Sequence, residues 1–571
     1  MSTLDNDILS KIAAGEVFTE VNLSNLGLTE FPLELLKLHD SLEMLNMGGN
    51  HLSTLPPEFD CFTKLRILFF AGNRFETIPE CLGRLPSLYM VSFKGNKLST
   101  ISPTSLSPSI GWLILTDNCL TELPETVGNL RGLRKLMLAN NDLHTLPPTL
   151  SHCKELELIR LSRNKLSTFP SFLLSLPKLS WLSLAGNNIP GIFSSTLPPQ
   201  SRTLPVSSLA IGPLIGEGAS GYVYEVQRKQ QLVNTYGTIT GNSQGALLKS
   251  VETCSSPPVC DTSNMVPSVM DQLSISDGRF LAYKQFKGQC GSDGSSQDEI
   301  VVSLSVSYHS HMLCPIACII EDPPLPPVPL PSPTTIAPQP VGILSVPESS
   351  SCDDSRSHSS DSTLLTTPPP LRPLGLLFPL LPPTCTSLGG PPSFRSVTRD
   401  VYDPQVRYSL DFIVRVGQGM ASAGQHLHDR GILHGDLYAH NIHVYPDGTP
   451  VLMDFGASFQ CDVESLAEEF TVLQRHEVRA FGCLLEELLD RVIVCTGALY
   501  AENGSGGECE QAAGRDGVFM REGKSGERQG TVVDMSCLMK LRDACLQENI
   551  LLRPSFQSIC QQLDIPMAQN S

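Results

Sequence analysis

The chain predicts an α/β solenoid followed by a second, α+β unit carrying disordered insertions. Three observations carry that prediction: an asparagine recurring about every 23 residues through the first third, a glycine-rich turn between two β-patterned runs near residue 216, and Pro- and Ser-rich tracts farther on. A length of 571 residues exceeds one domain at roughly 100–200 residues each. With 41% hydrophobic and 17% charged residues, the chain can bury a core. The net charge of −18 argues against a nucleic-acid partner, which needs clustered Lys and Arg. It argues equally against docking on anionic lipid.

The first unit, over residues 1–195, is built on Asn50, Asn73, Asn96, Asn118, Asn141, Asn164 and Asn187. Two positions after each stands an apolar residue, from Leu52 to Ile189, and a Pro follows the next hydrophobe in most copies. A degenerate first copy has Leu26 where Asn would be, making about eight repeats in all. Each copy supplies one short strand, and its Asn satisfies backbone groups where the chain turns off that strand. One copy cannot bury its own face, so the copies stack. This pattern resembles the leucine-rich repeat family. Asn46, Phe69, Ser92, Ile114, Met137, Arg160 and Ser183 should then lie exposed on the concave face. They hold no acidic or His cluster, and the mixed surface suits a protein partner; a plain spacer is the alternative.

After a Ser/Pro-rich linker at 196–208, the second unit runs over 209–565. Its opening reads Gly216-Glu-Gly218-Ala-Ser-Gly221, followed by Tyr222-Val223-Tyr-Glu-Val226. In a dinucleotide-binding fold the third Gly opens a helix; here it opens a period-2, β-branched and aromatic run, which is a strand. Strand, glycine turn and strand resemble the flap that covers ATP phosphates in protein kinases. The resemblance implies that Gly216, Gly218 and Gly221 approach the phosphates and that Val223 lies on the adenine. The run Phe280–Phe286 carries Lys284 among apolar neighbours and resembles the kinase strand whose Lys holds the α/β phosphates, with Glu299 as its ion-pair partner.

The run His434-Gly435-Asp436-Leu437-Tyr-Ala-His440-Asn441, followed by Asp454-Phe455-Gly456, resembles the kinase catalytic-loop and magnesium-binding motifs. By that resemblance the fold is two-lobed, Asp436 accepts the substrate hydroxyl's proton, and Asn441 and Asp454 hold Mg2+ on the phosphates of ATP. Glu477–Leu489 resembles the helix buried in the kinase C-lobe, with Glu477 replacing the common Asp at its start. Arg553-Pro-Ser-Phe556 resembles the closing C-lobe signature. Together with the repeats, the motif is similar to an atypical group of leucine-rich-repeat protein kinases of plants and bacteria.

Several positions depart from that pattern. Gly435 stands where most kinases have Arg, and Tyr438 where many Ser/Thr kinases have Lys, so the loop leaves Ser/Thr and Tyr specificity open; Ser/Thr is the favoured reading. Twenty residues separate Gly456 from Glu477 with no Ala-Pro-Glu, and Arg553 lacks its customary Glu partner. Two alternatives follow: an inactive kinase-like scaffold, or a small-molecule phosphotransferase of the aminoglycoside and choline type, which H-G-D-L also resembles.

Inserts are expected near 229–278, 322–370 and 497–530, where the composition cannot offset its ordering entropy. Pro324–Pro329 could bind an SH3-type module, and the Ser run 349–362 could be phosphorylated. The N-terminus has no apolar signal core, no run of about 20 apolar residues suggests a membrane span, and the 18 cysteines have no paired spacing. The expectation is a cytoplasmic signalling protein kinase with a protein substrate and a protein partner on its repeats.

Overall fold

A computed structural model describes residues 5–193, 197–198, 201–218, 220–229, 281–287, 294–322, 373–493 and 535–563. Apart from Lys229 and Asp322, the three inserts lie outside them, as do the Pro-rich and Ser-rich motifs.

Helix α1 (Asp5–Ala13) caps the first repeat through buried Ile12. Eight three-residue strands follow: β1 (Glu20–Asn22), β2 (Met44–Asn46), β3 (Ile67–Phe69), β4 (Met90–Ser92), β5 (Trp112–Ile114), β6 (Lys135–Met137), β7 (Leu158–Arg160) and β8 (Trp181–Ser183). They pair in parallel in chain order, each repeat position facing its equivalent in the next. Each Asn staples adjacent turns: Asn164 Oδ1 accepts from Leu143 N at 3.1 Å, while Nδ2 donates to Leu138 O and Leu161 O at 3.0 and 2.9 Å. On the opposite side, Pro56, Pro79, Pro124, Pro147 and Pro170 each lead into a short 3-10 turn, where the fixed φ of Pro suits a helical entry.

The linker is not a free connection, because β9 (Thr203–Pro205) joins the second unit's sheet as a parallel edge strand. That mixed sheet contains β10 (Leu209–Glu217), β11 (Gly221–Arg228), β12 (Leu281–Phe286), β13 (Ala317–Ile320) and β14 (Pro373–Pro379), in the order β10-β11-β12-β14-β13-β9. Helix α2 (Ser296–Ser305) packs on it, N-capped by Ser295. The remainder is helical around α3 (Leu410–His428), α4 (Ala467–Leu489), α5 (Met535–Cys545) and α6 (Phe556–Gln562). Short pairs β15 (Thr386–Ser387), β16 (Ile432–Leu433), β17 (Ile442–Val444), β18 (Pro450–Leu452) and β19 (Phe459–Gln460) shape the loops between them.

Two expectations need correction. The strand-face row from Asn46 to Ser183 is not exposed: Asn46, Phe69, Ile114 and Met137 are half-buried, and Ser92, Arg160 and Ser183 are buried. The chain's own later residues cover this face. Val397 packs with Met90 and Trp112, while Leu158 and Trp181 join the core around α3 and α4. Conversely, Leu433, Phe459, Cys461, Leu466, Phe470 and Leu473 belong to the solenoid's core. The second correction concerns Glu477, which lies in the interior of α4 rather than at its start; the helix begins ten residues earlier, at Ala467. The stretch after Gly456 is thereby shortened further.

Candidate functional site

Strands β10, β11, β12 and β14, helix α2 and the Asp454–Gly456 turn enclose a cavity of about 450 Å³. Val223, Ala282 and Met453 give it apolar walls; Gly218, Gly221, Lys284, Glu299 and Asp454 line its polar end. The glycines differ in what requires them. A Cβ on Gly221 would sit 2.4 Å from Gln285 O on the neighbouring strand, so close strand packing demands Gly there. Gly216, opposite Val223 in the strand register, would tolerate a Cβ, and Gly218 has open space around it.

Lys284 Nζ lies 2.5 Å from Glu299 Oε1 and 3.6 Å from Asp454 Oδ1. Burial opposes its charge, but the two carboxylates outweigh that cost and hold the ammonium above its ordinary pKa. The pairing predicted between Lys284 and Glu299 therefore forms, with Asp454 as a third member.

Asp436 and Asn441 lie on the loop between α3 and β17 and do not line the cavity. Asn441 Nδ2 donates to Asp436 O and Oδ2 at 2.9 and 2.8 Å, leaving Oδ1 as its remaining donor atom to a metal. Met453 N donates to Asn441 O at 2.8 Å, which sets the Asn beside Asp454. Asp454 adopts a left-handed φ of 57°, uncommon outside Gly though tolerated by Asp. Among the described residues no three His, Cys, Asp or Glu are grouped to hold a metal by themselves. One carboxylate and one amide oxygen fit Mg2+, which keeps waters and takes phosphate oxygens as ligands.

Further residues hold this loop in place. Glu477 Oε1 accepts from Gly435 N at 2.8 Å and Oε2 pairs with His428 Nε2 at 2.7 Å. Burial penalises the Glu477 carboxylate, yet His428 and the Gly435 N–H together hold its pKa below the usual range. Asp400 accepts from Ala439 N at 2.5 Å and pairs with His440 Nδ1 at 2.7 Å. Burial lowers the His440 pKa, but Asp400 more than compensates and raises it. Arg553 donates to Gln547 O and Arg475 O and also to Pro177 O, so carbonyls replace the carboxylate expected of that position.

The solenoid itself reaches the loop, which the sequence reading missed. Arg160 Nη1 donates to Gly435 O at 2.9 Å, and its Nη2 forms an ion pair with Asp436 Oδ1. The Trp181 ring stacks on Tyr438 with centroids 4.2 Å apart, and its Nε1 donates to Leu437 O at 3.1 Å. Gly435 has φ 72°, and a Cβ there would come within 2.4 Å of Leu182 O. An Arg at 435 is thus excluded by the solenoid backbone. Repeat periodicity carries no signal for Arg160 or Trp181, because both stand at positions the repeat leaves variable.

Family models for the leucine-rich repeat match residues 131–189 and 41–62. The chain carries leucine-rich repeats. Similar solved structures include a leucine-rich-repeat protein of Leptospira interrogans, at 25% identity over 32% of this chain and 52% of that one, with a TM-score of 0.29. Another is the Toll–Spätzle complex of Drosophila, at 23% identity over 30% of this chain and 26% of that one, TM-score 0.26. The chain thus spans about half the length of the first of these. No curated protein matches it. No helix among the described residues is long and apolar enough to cross a membrane.

Proposed function

We propose that the second unit is an ATP-dependent protein kinase, acting on Ser/Thr hydroxyls in preference to Tyr, and that the open end of the repeats recruits a protein partner in intracellular signalling. The observation that carries the first part is the charged cluster of Lys284, Glu299 and Asp454 at the polar end of an otherwise apolar cavity. Val223, Ala282 and Met453 would take an adenine ring, and Lys284 would neutralise the phosphates beneath the glycine flap. Asn441 and Asp454 would hold Mg2+, which supplies charge stabilisation on the transferring phosphoryl group. Asp436 would take the substrate hydroxyl's proton as its oxygen bonds to the γ-phosphorus and the bond to the leaving ADP oxygen breaks.

The short segment from Gly456 to Ala467 is held at its middle. Phe193 N donates to Gln460 O at 3.0 Å and Asp462 N to Gly191 O at 2.7 Å, fastening it to the last repeat. That arrangement needs no phosphate to order it, in keeping with the missing Arg at 435. Recruitment is assigned to the groove of about 790 Å³ between the early strands and Phe394, where Glu20, Glu43 and Arg66 provide polar contacts.

A second reading, an inactive scaffold, rests on the engagement of both Asp436 oxygens by Arg160 and Asn441. The test is phosphate transfer from labelled ATP by the wild type, D436N and K284M. Loss of transfer in both variants is expected, and equal incorporation by all three overturns the enzyme reading. Transfer to aminoglycosides or choline but not to protein would assign the site to small molecules.

A further inference from the structure

We infer that Arg160, supplied by the seventh repeat, is a positioning residue for phosphoryl transfer, so that the solenoid completes the catalytic loop. The inference rests on the kinase reading of Asp436. Three observations carry it.

Arg160 is 1% exposed, and it addresses the loop at two adjacent points, the Gly435 carbonyl and the Asp436 carboxylate. A guanidinium fixes a carboxylate more rigidly than a point charge does, because its planar fork commits two N–H groups in set directions. The contact lies inside an interface that leaves Arg160 little room to withdraw. Trp181 is stacked on Tyr438 beside it, and Leu182 O is set against Gly435 Cα. A gate must open, and opening this one would unstack two buried aromatic rings and strip partners from buried carbonyls. The Arg is therefore read as part of the working site rather than as a stopper.

The third observation concerns the loop's own chemistry. Gly435 and Tyr438 stand where most kinases have Arg and many Ser/Thr kinases have Lys, and Tyr438 is turned into the solenoid as an anchor. Without Arg160, the described loop would present Asp436 held by Asn441 alone, and Asn441 is also needed at the metal. With Arg160 on Oδ1 and Asn441 Nδ2 on Oδ2, the carboxylate keeps its orientation, Asn441 Oδ1 stays available to the metal, and Oδ2 keeps a lone pair for the substrate hydroxyl. Misplacement of a reacting group by about 1 Å costs on the order of 10²-fold in rate.

The experiment uses the full chain and compares wild type, R160Q, R160K and D436N. It measures kcat and KM for ATP with a protein substrate, nucleotide affinity by fluorescent-ATP displacement, and folding by thermal unfolding. R160Q should lose about 10²-fold in kcat with KM for ATP and nucleotide affinity unchanged. R160K, which keeps the charge without the fork, should recover part of that loss. If R160Q melts early, R160K decides: folded and as active as wild type, it overturns the role of the guanidinium fork. Wild-type activity retained in a folded R160Q overturns the inference while leaving the kinase reading intact. Activity raised in R160Q overturns it in favour of an inhibitory contact. A wild type that binds no nucleotide and transfers no phosphate overturns the kinase reading, and the inference falls with it.

Discussion

The early and the late repeats obey the same rules and end in opposite environments. Asn50 and Asn164 form equivalent staples to neighbouring turns, and β2 and β7 sit in the same parallel register with their neighbours. Yet Asn46 and Phe69 on the early strands are half-buried, and Met44 and Ile67 on the same strands line an open groove, whereas Arg160 and Ser183 on the late ones are buried. The repeat consensus specifies stacking and nothing about what covers the strand face. That cover is specified by the variable positions: Glu157 and Arg134 receive Thr398, Trp181 receives Tyr438, and Arg160 receives Asp436. A solenoid can thus be partly open at one end and structural at the other.

The largest way to break this contrast is W181A. It removes a buried indole, its stack on Tyr438 and its bond to Leu437 O, and should cost about 3–5 kcal/mol in denaturant unfolding. Because the ring joins both units, the repeats and the helical unit should lose cooperativity together. A loss confined to the repeats would show that the two ends are less different than their burial implies. Next comes N164A, which leaves Leu143 N unpaired in a buried turn while Leu138 O and Leu161 O keep their bonds from Asn141 and Asn187, costing about 1–3 kcal/mol. N50A breaks the same kind of staple, but hydrogen exchange should show its effect confined to the first repeats. N164A should also loosen the 435–441 loop.

Protonation sharpens the comparison at the closed end. His476 bonds Leu173 O of the 3-10 turn that follows Pro170 at 3.1 Å, and burial, then the neighbouring Arg553, drives its pKa down to about 3. His309, packed against His426 and His311 and bonded to Ser422 Oγ, is driven to about 3, chiefly by burial. Both pKa values lie below the unfolded value near 6.5, so the unfolded chain binds more protons as the pH falls. Their contribution is fully present above about pH 6.5 and is lost progressively from there toward pH 3. The melting temperature should fall over that window, and H476Q should remove about half of the two-histidine dependence. An unchanged slope in H476Q would place acid sensitivity away from the interface.

The parts of this molecule that were readable in the sequence are those set by local chemistry. The Asn ladder announces itself because every copy must satisfy the same backbone groups, and eight strands appear where it predicts them. Lys284 and Glu299 can be paired because the run Phe280–Phe286 resembles the kinase strand whose Lys takes a helix Glu as its partner. The place of Glu477 inside α4 is not legible in the sequence, since the helix starts at Ala467 without a side-chain cap to mark it. The repeat pattern places Arg160 on an exposed face, whereas its burial depends on residues 275 and 276 positions away in the chain. Gly435 looked like the loss of an Arg, whereas it is the fit of a left-handed residue under Leu182 O. Long-range contacts between variable positions leave no periodic trace.

The smallest effect tests the open end directly. Phe69 is half-buried and meets Phe394 with ring centroids 5.5 Å apart, while Phe394 is 48% exposed. Such a pair is worth roughly 0.5–1.5 kcal/mol beyond its burial, and solvent already reaches one ring. F69A should therefore cost about 1–2 kcal/mol in urea unfolding, with nucleotide affinity unchanged because neither ring lines the cavity. A cost equal to that of W181A would mean that the strip carrying Phe394 closes the early repeats as firmly as Tyr438 closes the late ones. The groove would then be an internal seam, and recruitment would have to move to another face of the solenoid.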